Sequence, residues 1–290
     1  MPHRPRFEVA GLVAGAALLG LTGCASSGLD LRREAARQGL EIKTLAGGDF
    51  LLAAYLQEPA EAAPESGKLR VYLEGDGRPW IDGTRIAQDP RGRRAVAFEL
   101  MLQDPSRALY LERPCYQRPR PTDPCTPELW TDARYSERVV TSMALALEGE
   151  LRRLEIEELT LVGYSGGGVL AMLLAPRLQP VTRVITLAAN LDVAAWTRFH
   201  RYLPLRASLN PARQPPLSSS IEQLHLSGEA DANVPADLVR AAVASQAGAE
   251  LRVLAGQDHA CCWAQVWPDI LEGLEGPPDQ VNGPEDPGAQ

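Results

Sequence analysis

The chain has 290 residues, of which 45% are hydrophobic and 23% are charged, a composition close to that of a soluble globular protein. This composition excludes collagen-like, coiled-coil and wholly disordered chains. Twenty-nine Lys and Arg against 37 Asp and Glu give a net charge of -8, which argues against a nucleic-acid-binding surface, because such a surface needs a basic stripe.

The first 23 residues have the pattern of an export signal. Arg4 and Arg6 precede an uncharged run rich in Ala, Leu and Gly from Val9 to Leu21, and small residues follow it in Leu21-Thr22-Gly23-Cys24. The uncharged run is shorter than the ~20 residues that a transmembrane helix needs, so a signal peptide is favoured over a membrane span.

Leu-Thr-Gly-Cys resembles the lipobox of bacterial lipoproteins, in which the cysteine is acylated and becomes the new N-terminus. The resemblance implies cleavage after residue 23 and lipidation of Cys24 with palmitate-like chains. Residues 24–40 are predicted to be the lipidated N-terminus and tether, in which residues 25–40 form a helix or a tether. Ala25 and Ser26 are not acidic, which in such lipoproteins implies the outer membrane, facing the periplasm. The alternative is an ordinary signal peptide with an incidental cysteine.

The body of the chain, residues 41–275, alternates short branched apolar runs with longer helical patterns, which is typical of parallel strands joined by crossover helices. We predict a single α/β domain with a mostly parallel central sheet flanked by helices on both faces. An N-terminal hairpin is predicted within Glu41 to Gln57. The further predicted strands are Leu69 to Leu73, Ala108 to Glu112, Leu159 to Gly163, Arg183 to Leu187, Gln223 to Leu226 and Glu250 to Leu254.

Helices are predicted from Ser136 to Glu155, Gly166 to Leu178, Ala236 to Ala247 and Trp263 to Leu274. Residues 194–220 break the alternation with aromatic residues, prolines and a serine run, so we predict a small lid-like insertion there. The last segment, residues 276–290, is rich in Pro, Gly and acidic residues and is predicted to be disordered.

Four cysteines follow Cys24. Cys115 and Cys125 bracket a proline-rich loop from Pro119 to Pro124 and are expected to form a disulfide, because an exported protein folds where disulfides persist. For Cys261 and Cys262 two states stay open, a vicinal disulfide or two buried thiols.

A serine lies between a predicted strand and a predicted helix, in Gly163-Tyr164-Ser165-Gly166-Gly167. This is the Gly-x-Ser-x-Gly pattern in the strand-turn-helix context that a nucleophile needs. Glycines two before and two after the serine allow strand and helix to approach closely, and the helix N-terminus supplies free N–H groups for an oxyanion.

The serine needs a base and an orienting carboxylate. His259 follows the last predicted strand, whereas His225 lies inside a strand and His200 in the aromatic insertion, so His259 is the predicted base. Asp231 follows the preceding strand and is the predicted acid. Rival carboxylates are Asp192, Glu229 and Asp258.

The order Ser165, Asp231, His259 is that of the α/β-hydrolases, and residues 69–270 resemble this superfamily. Gly-Tyr-Ser-Gly-Gly-Gly, Asn190-Leu191-Asp192, Trp196, Ser208-Leu209-Asn210-Pro211 and Trp263 further resemble a group of bacterial lipoprotein hydrolases. The resemblance implies an oxyanion hole made by the backbone N–H of Gly166 and that of Asp76 or Gly77.

Glu74 and Asp76 depart from the usual pattern at this turn, because carboxylates oppose a developing oxyanion unless they are paired or point away. Arg78 and Arg113 are candidate counter-charges, and a plain solvated loop is the alternative. Arg113 is alternatively a ligand for an acidic substrate group.

The sequence therefore predicts a lipid-anchored serine hydrolase of an acyl ester, small or lipid-like, with no metal and no cofactor. Candidate pocket residues are Tyr164, Asn190, Asp192, Trp196 and Trp263. The alternatives are a thioesterase or peptidase, and a non-catalytic envelope binding or assembly lipoprotein on a hydrolase scaffold.

Overall fold

The computed structural model describes residues 30–59, 67–116 and 124–275. The predicted signal, the lipidation site at Cys24, most of the proline-rich loop and the tail at 276–290 lie outside the described residues. Among the residues described, no helix is both long and apolar enough to cross a bilayer.

Strands and helices alternate along the chain. The strands are β1 (Glu41–Gly47), β2 (Phe50–Gln57), β3 (Lys68–Leu73), β4 (Trp80–Ile81), β5 (Arg85–Ile86), β6 (Ala108–Leu111), β7 (Glu158–Tyr164), β8 (Val181–Leu187), β9 (Glu222–Gly228) and β10 (Ala249–Leu254). The helices are α1 (Leu31–Arg37), α2 (Val96–Met101), α3 (Glu137–Arg153), α4 (Gly166–Leu174), α5 (Val193–Phe199), α6 (Ala236–Val243) and α7 (Trp263–Glu275).

Eight strands form one sheet in the order β1-β2-β6-β3-β7-β8-β9-β10, and β4 and β5 form a separate small hairpin. The last six strands in this order, β6-β3-β7-β8-β9-β10, are parallel to one another. Strand β2 pairs antiparallel with both β1 and β6. The predicted, mostly parallel sheet is confirmed. Because parallel strands end at the same edge, the loops after β3, β7, β9 and β10 lie together.

The two faces of the sheet carry two separate apolar layers. One layer contains side chains of α3, α4 and α6, and the other contains those of α1, α2 and α7. Alternate residues of each strand supply the two layers, as in β3, where Leu69, Val71 and Leu73 face one layer and Tyr72 the other. The sheet is therefore covered on both faces, as predicted.

Differences from the predicted elements have local causes. Helix α4 ends at Leu174 and continues as a short 3-10 turn over Ala175–Arg177, because Pro176 has no N–H to extend the helix. Helix α2, which is only six residues long, was not predicted. Of the two alternatives for residues 25–40, a helix is present over residues 31–37 as α1, and its Leu31 and Ala35 are buried in the core.

Candidate active site

The turn between β7 and α4 holds Ser165 in a strained conformation, with φ of 51°. This left-handed backbone is uncommon for a residue with a side chain and marks a sharp reversal. A Cβ atom on Gly163 would lie 2.4 Å from the carbonyl oxygen of Gly167, and one on Gly167 would lie 2.0 Å from that of Leu73. Strand and helix thus touch through backbone atoms, which explains both glycines of the motif.

Three side chains predicted as a catalytic group lie in hydrogen-bond contact. The Oγ of Ser165 is 3.1 Å from the Nε2 of His259, and the Nδ1 of His259 is 2.9 Å from the Oδ2 of Asp231. With Nδ1–H donating to the carboxylate, Nε2 is free to accept the proton of the serine hydroxyl.

Asp231 is held in place by the loop that follows β9. Its side chain is 0% exposed, and its Oδ1 accepts the backbone N–H groups of Asn233 and Val234, each at 2.8 Å. Within the described residues, none of the rival carboxylates Asp192, Glu229 and Asp258 is hydrogen-bonded to the imidazole of His259. Asp192 caps α5 by accepting the N–H groups of Ala194 and Ala195, and Asp258 accepts those of Ala260 and Cys261.

The backbone of His259 is fixed by two aromatic side chains. Its carbonyl oxygen accepts the Tyr164 hydroxyl at 2.8 Å and the Trp263 indole N–H at 3.1 Å. Cys261 and Cys262 form a vicinal disulfide in the same loop. Tyr164 and Trp263 were predicted to line a pocket, and the structure shows them holding the loop that carries the predicted base.

The predicted oxyanion donors have different surroundings. In the described part of the chain, the backbone N–H groups of Gly166 and Asp76 have no acceptor, which leaves both available to a ligand. Gly75, just before Asp76, lies against the turn at Ser165, since a Cβ there would be 3.2 Å from the Cβ of Ser165. Gly77 lies against the loop at 90–92, where a Cβ would be 2.1 Å from the Pro90 oxygen. Between Asp76 and Gly77 as the second oxyanion donor, Asp76 is favoured, because its neighbour Gly75 lies against Ser165.

The Asp76 carboxylate is paired, and this resolves the question of charge at the turn. It accepts Nη1 of Arg113 at 2.8 Å, Nη1 of Arg134 at 2.9 Å and the hydroxyl of Tyr135 at 2.5 Å. Although burial raises the pKa of Asp76, Arg134 and Arg113 lower it to about 2. The Arg113 expectation is therefore met, while Arg134 and Tyr135 were not foreseen.

Arg78, the other predicted counter-charge, forms no ion pair within the residues that the structure describes. Its backbone N–H donates to the Pro90 oxygen. The solvated-loop alternative is also wrong, because Arg113 and Arg134 are 3% and 5% exposed.

Glu74 connects the same turn to α2. Its Oε1 accepts the N–H of Gly75, and its Oε2 accepts the N–H of Ala97 in the first turn of α2, both at 3.0 Å. Burial raises the pKa of Glu74 to about 7, against the lowering effect of these backbone N–H groups and of Arg113. Both oxygens of this carboxylate thus accept backbone N–H groups, and its raised pKa lies near neutrality.

We expect Glu74 to make the protein less stable as pH rises from about 4.5 to about 7. The folded-state pKa lies above the unfolded one, so the favourable contribution is complete below pH 4.5 and is lost through pH 7. Glu74→Gln should remove this slope in urea unfolding at a series of pH values.

The comparison between wild type and Glu74→Gln is needed because buried His225, whose pKa is lowered to about 4 by burial, acts in the opposite direction below pH 6.5. Wild type and Glu74→Gln with parallel pH profiles would contradict the assignment. Glu157→Gln, an exposed carboxylate at the other edge of the sheet, is the matched control.

A small cavity lies beside the turn at Gly75. Its wall includes Gly75, Tyr110, Glu112 and Arg113. None of the five predicted pocket residues is among the described residues that line it. Asn190 is instead buried in the loop after β8. The indole N–H of Trp196 donates to the backbone carbonyl oxygen of Asn233 at 3.0 Å.

The structure also shows the predicted disulfide and the two histidines that were not chosen as the base. Cys115 and Cys125 are bonded, with their Cα atoms 5.6 Å apart. His225 is fully buried, with Nδ1 2.8 Å from the Thr186 hydroxyl. His200 packs among aromatic rings in the insertion.

No family model and no curated protein matches the sequence. The fold, in contrast, is similar to solved structures. An α/β serine hydrolase without a lid from Xanthomonas campestris is 12% identical with a TM-score of 0.52, covering 81% of this chain and 91% of that one. For Est1E from Butyrivibrio proteoclasticus the values are 11%, 0.53, 80% and 96%.

A proline iminopeptidase from Mycobacterium smegmatis is 12% identical with a TM-score of 0.56, covering 81% of this chain and 97% of that one. At such identities the likeness concerns the fold, and the predicted lipoprotein subgroup stays a prediction. The α/β-hydrolase fold that was predicted from the sequence is the fold that these structures share with this chain.

Proposed function

We propose that this chain, which has the α/β-hydrolase fold, is a serine hydrolase that works by acyl transfer. The observation that carries the proposal is the continuous hydrogen-bonded series from Ser165 through His259 to Asp231 at the ends of three strands. Ser165 attacks a carbonyl carbon while His259 takes its proton, and Asp231 stabilises the charged imidazole that forms.

The acyl-enzyme follows when His259 returns the proton to the leaving group. Water then attacks the acyl group while the same base takes its proton. The ester bond to Ser165 breaks, the acid product leaves, and His259 returns the proton to the serine oxygen. The free N–H groups of Gly166 and Asp76 stabilise the oxyanion in both steps, and the pairing of the Asp76 side chain removes an opposing charge.

Fluorophosphonate labelling of the full chain tests this function, because the probe reacts with activated serines. We expect covalent labelling of wild type and of Ser220→Ala, whose serine is exposed on the surface. Labelling should vanish in Ser165→Ala. A folded wild type that does not react would overturn the proposal and favour a non-catalytic binding protein.

We propose a carboxylic ester as the substrate. An alkoxide leaves more readily than an amine, so the same machinery meets a lower barrier with an ester. Similar folds carry both activities by name, an esterase and an iminopeptidase. Matched nitrophenyl esters, thioesters and anilides of one acyl group separate the cases, and a higher kcat/KM for the anilide would refute the ester while leaving acyl transfer intact.

We also propose that the chain is a lipoprotein of the bacterial outer membrane, held by acyl chains on Cys24. The support is the Leu-Thr-Gly-Cys motif after an apolar run. Cys24→Ser should abolish incorporation of labelled palmitate in a producing bacterium, whereas Ser26→Ala should retain it. Undiminished labelling of Cys24→Ser would exclude this residue as the acylation site.

A further inference from the structure

The segment at 193–221 exposes large apolar side chains. Phe199 is 53% exposed, Tyr202 56% and Leu203 84%, and these are the three most exposed large apolar residues in the described ranges. They lie within five residues of one another. Such a concentration at the surface of a globular protein usually marks a contact with another molecule.

The same segment is strongly basic. It contains Arg198, Arg201, Arg206 and Arg213, but no Asp and no Glu, in a chain whose net charge is -8. All four arginines are exposed. None forms an ion pair with another residue that the structure describes. Two carboxylates lie beside the segment: Asp192, whose pKa Arg198 helps to lower, and Asp132, which accepts the backbone N–H of Arg206 at 2.7 Å. Neither is paired with a guanidinium group of the segment in the described ranges, so these groups are available to an external anion.

The exposed side chains of this segment are held in place by a cluster of packed aromatic rings. Arg201 has a positive φ of 58° at the end of α5, and the chain turns back so that Tyr202 stacks on His200, with ring centroids 5.0 Å apart. Trp196 packs against both rings at 5.3 and 5.5 Å. The aromatic and basic side chains are thus presented by a packed cluster.

This cluster is hydrogen-bonded to the loop that carries Asp231, the carboxylate predicted to orient His259. The Nε1 of Trp196 and the Nε2 of His200 both donate to the backbone carbonyl oxygen of Asn233, at 3.0 and 2.7 Å. Asn233 in turn donates its N–H to Asp231. The surface therefore lies beside the sheet edge at which Ser165 is placed.

We propose that residues 196–213 dock on an anionic phospholipid surface. Exposed aromatic and leucine side chains suit the interfacial region of a bilayer, and arginines pair with lipid phosphates. The basic charge of this segment is complementary to such a surface, although the chain as a whole is acidic. Docking turns the edge that bears Ser165 toward the lipid. The proposal does not depend on catalysis or on acylation of Cys24.

Hydrogen–deuterium exchange of the full chain tests the contact at the level of residues. The two vesicle preparations are phosphatidylcholine alone and equal parts of phosphatidylcholine and phosphatidylglycerol. We expect slower exchange over residues 196–206 with the anionic vesicles, and a loss of this protection as salt is raised. Exchange that is unchanged by anionic vesicles, or slowed equally by neutral ones, would overturn the proposal.

Vesicle partition of arginine variants gives the magnitude. Each replacement among Arg198→Gln, Arg201→Gln, Arg206→Gln and Arg213→Gln should weaken binding to anionic vesicles by about fivefold. Arg152→Gln is the matched control, because Arg152 is exposed at the end of α3, at the opposite edge of the sheet. The N-terminal residues are the same in every variant, so their own affinity for lipid cancels in the ratios.

Replacement of the apolar group separates insertion from simple charge attraction. The double variant Phe199→Ser, Leu203→Ser should partition into anionic vesicles less than wild type does, while its binding should still weaken as salt is raised. These side chains are exposed, so the fold should tolerate the change. A loss of binding in Arg152→Gln equal to that in Arg201→Gln would show that only overall charge matters and would contradict the docking surface.

Discussion

Asp231→Asn is expected to lower kcat for ester hydrolysis by about 10⁴-fold. The asparagine amide would donate to the Nδ1 of His259, and the imidazole proton would then move to Nε2. That nitrogen faces the Ser165 hydroxyl at 3.1 Å and would no longer accept its proton. Steady-state kinetics with a nitrophenyl ester measure the loss, and KM should change little because the substrate does not touch the carboxylate.

Asp258→Asn is the matched control for this prediction. Asp258 is adjacent to the proposed base in sequence, but within the described residues its carboxylate accepts only backbone N–H groups of its own loop. Its replacement should leave kcat near the wild-type value. Equal losses in the two variants would show that the loop as a whole, and not the orientation of the imidazole by Asp231, sets the rate.

The largest effect on stability is expected from Asp76→Ala, which should lower the free energy of unfolding by about 3–5 kcal/mol. Removal of this carboxylate leaves Arg113 and Arg134 as buried, uncompensated cations, 3% and 5% exposed. Urea unfolding at pH 7 measures the loss. Asp76→Asn keeps the shape of the side chain and removes its charge, so it separates electrostatic from packing effects.

An exposed ion pair provides the comparison. Asp237 and Arg240 are 97% and 63% exposed in their side chains, and Asp237→Ala should change the free energy of unfolding by no more than about 1 kcal/mol. If Asp76→Ala were as mild as Asp237→Ala, the buried group would not be the electrostatic centre of the turn. Such a result would also remove the reason for a low pKa at Asp76.

The parts of this protein that follow local rules were predictable from the sequence. Strands such as Leu159 to Gly163 are short branched runs, and the observed β7 differs from that range by one residue at each end. The glycines around Ser165 indicate a strained turn because few other residues permit one. His259 and Asp231 could be selected because each directly follows a strand of the same sheet.

The remainder depends on contacts between distant parts of the chain. Arg134 and Tyr135 reach Asp76 across 58 and 59 residues, and nothing in their own neighbourhood indicates a partner. The third glycine at this turn has the same cause. A Cβ on Gly166 would lie 2.0 Å from the Asp76 Oδ1, so this requirement for glycine comes from a remote carboxylate. Only the folded structure brings these groups together.

The short helix α1 also limits where the domain can travel. Its Leu31 and Ala35 are buried in the core, so only the seven peptide units from Cys24 to Leu31 connect the proposed lipid to the folded domain. The maximum length of this connection, fully extended, is on the order of 25 Å. A lipid on Cys24 would therefore confine the domain to the immediate neighbourhood of its own leaflet, and substrates at the opposite membrane of the envelope would lie beyond its range.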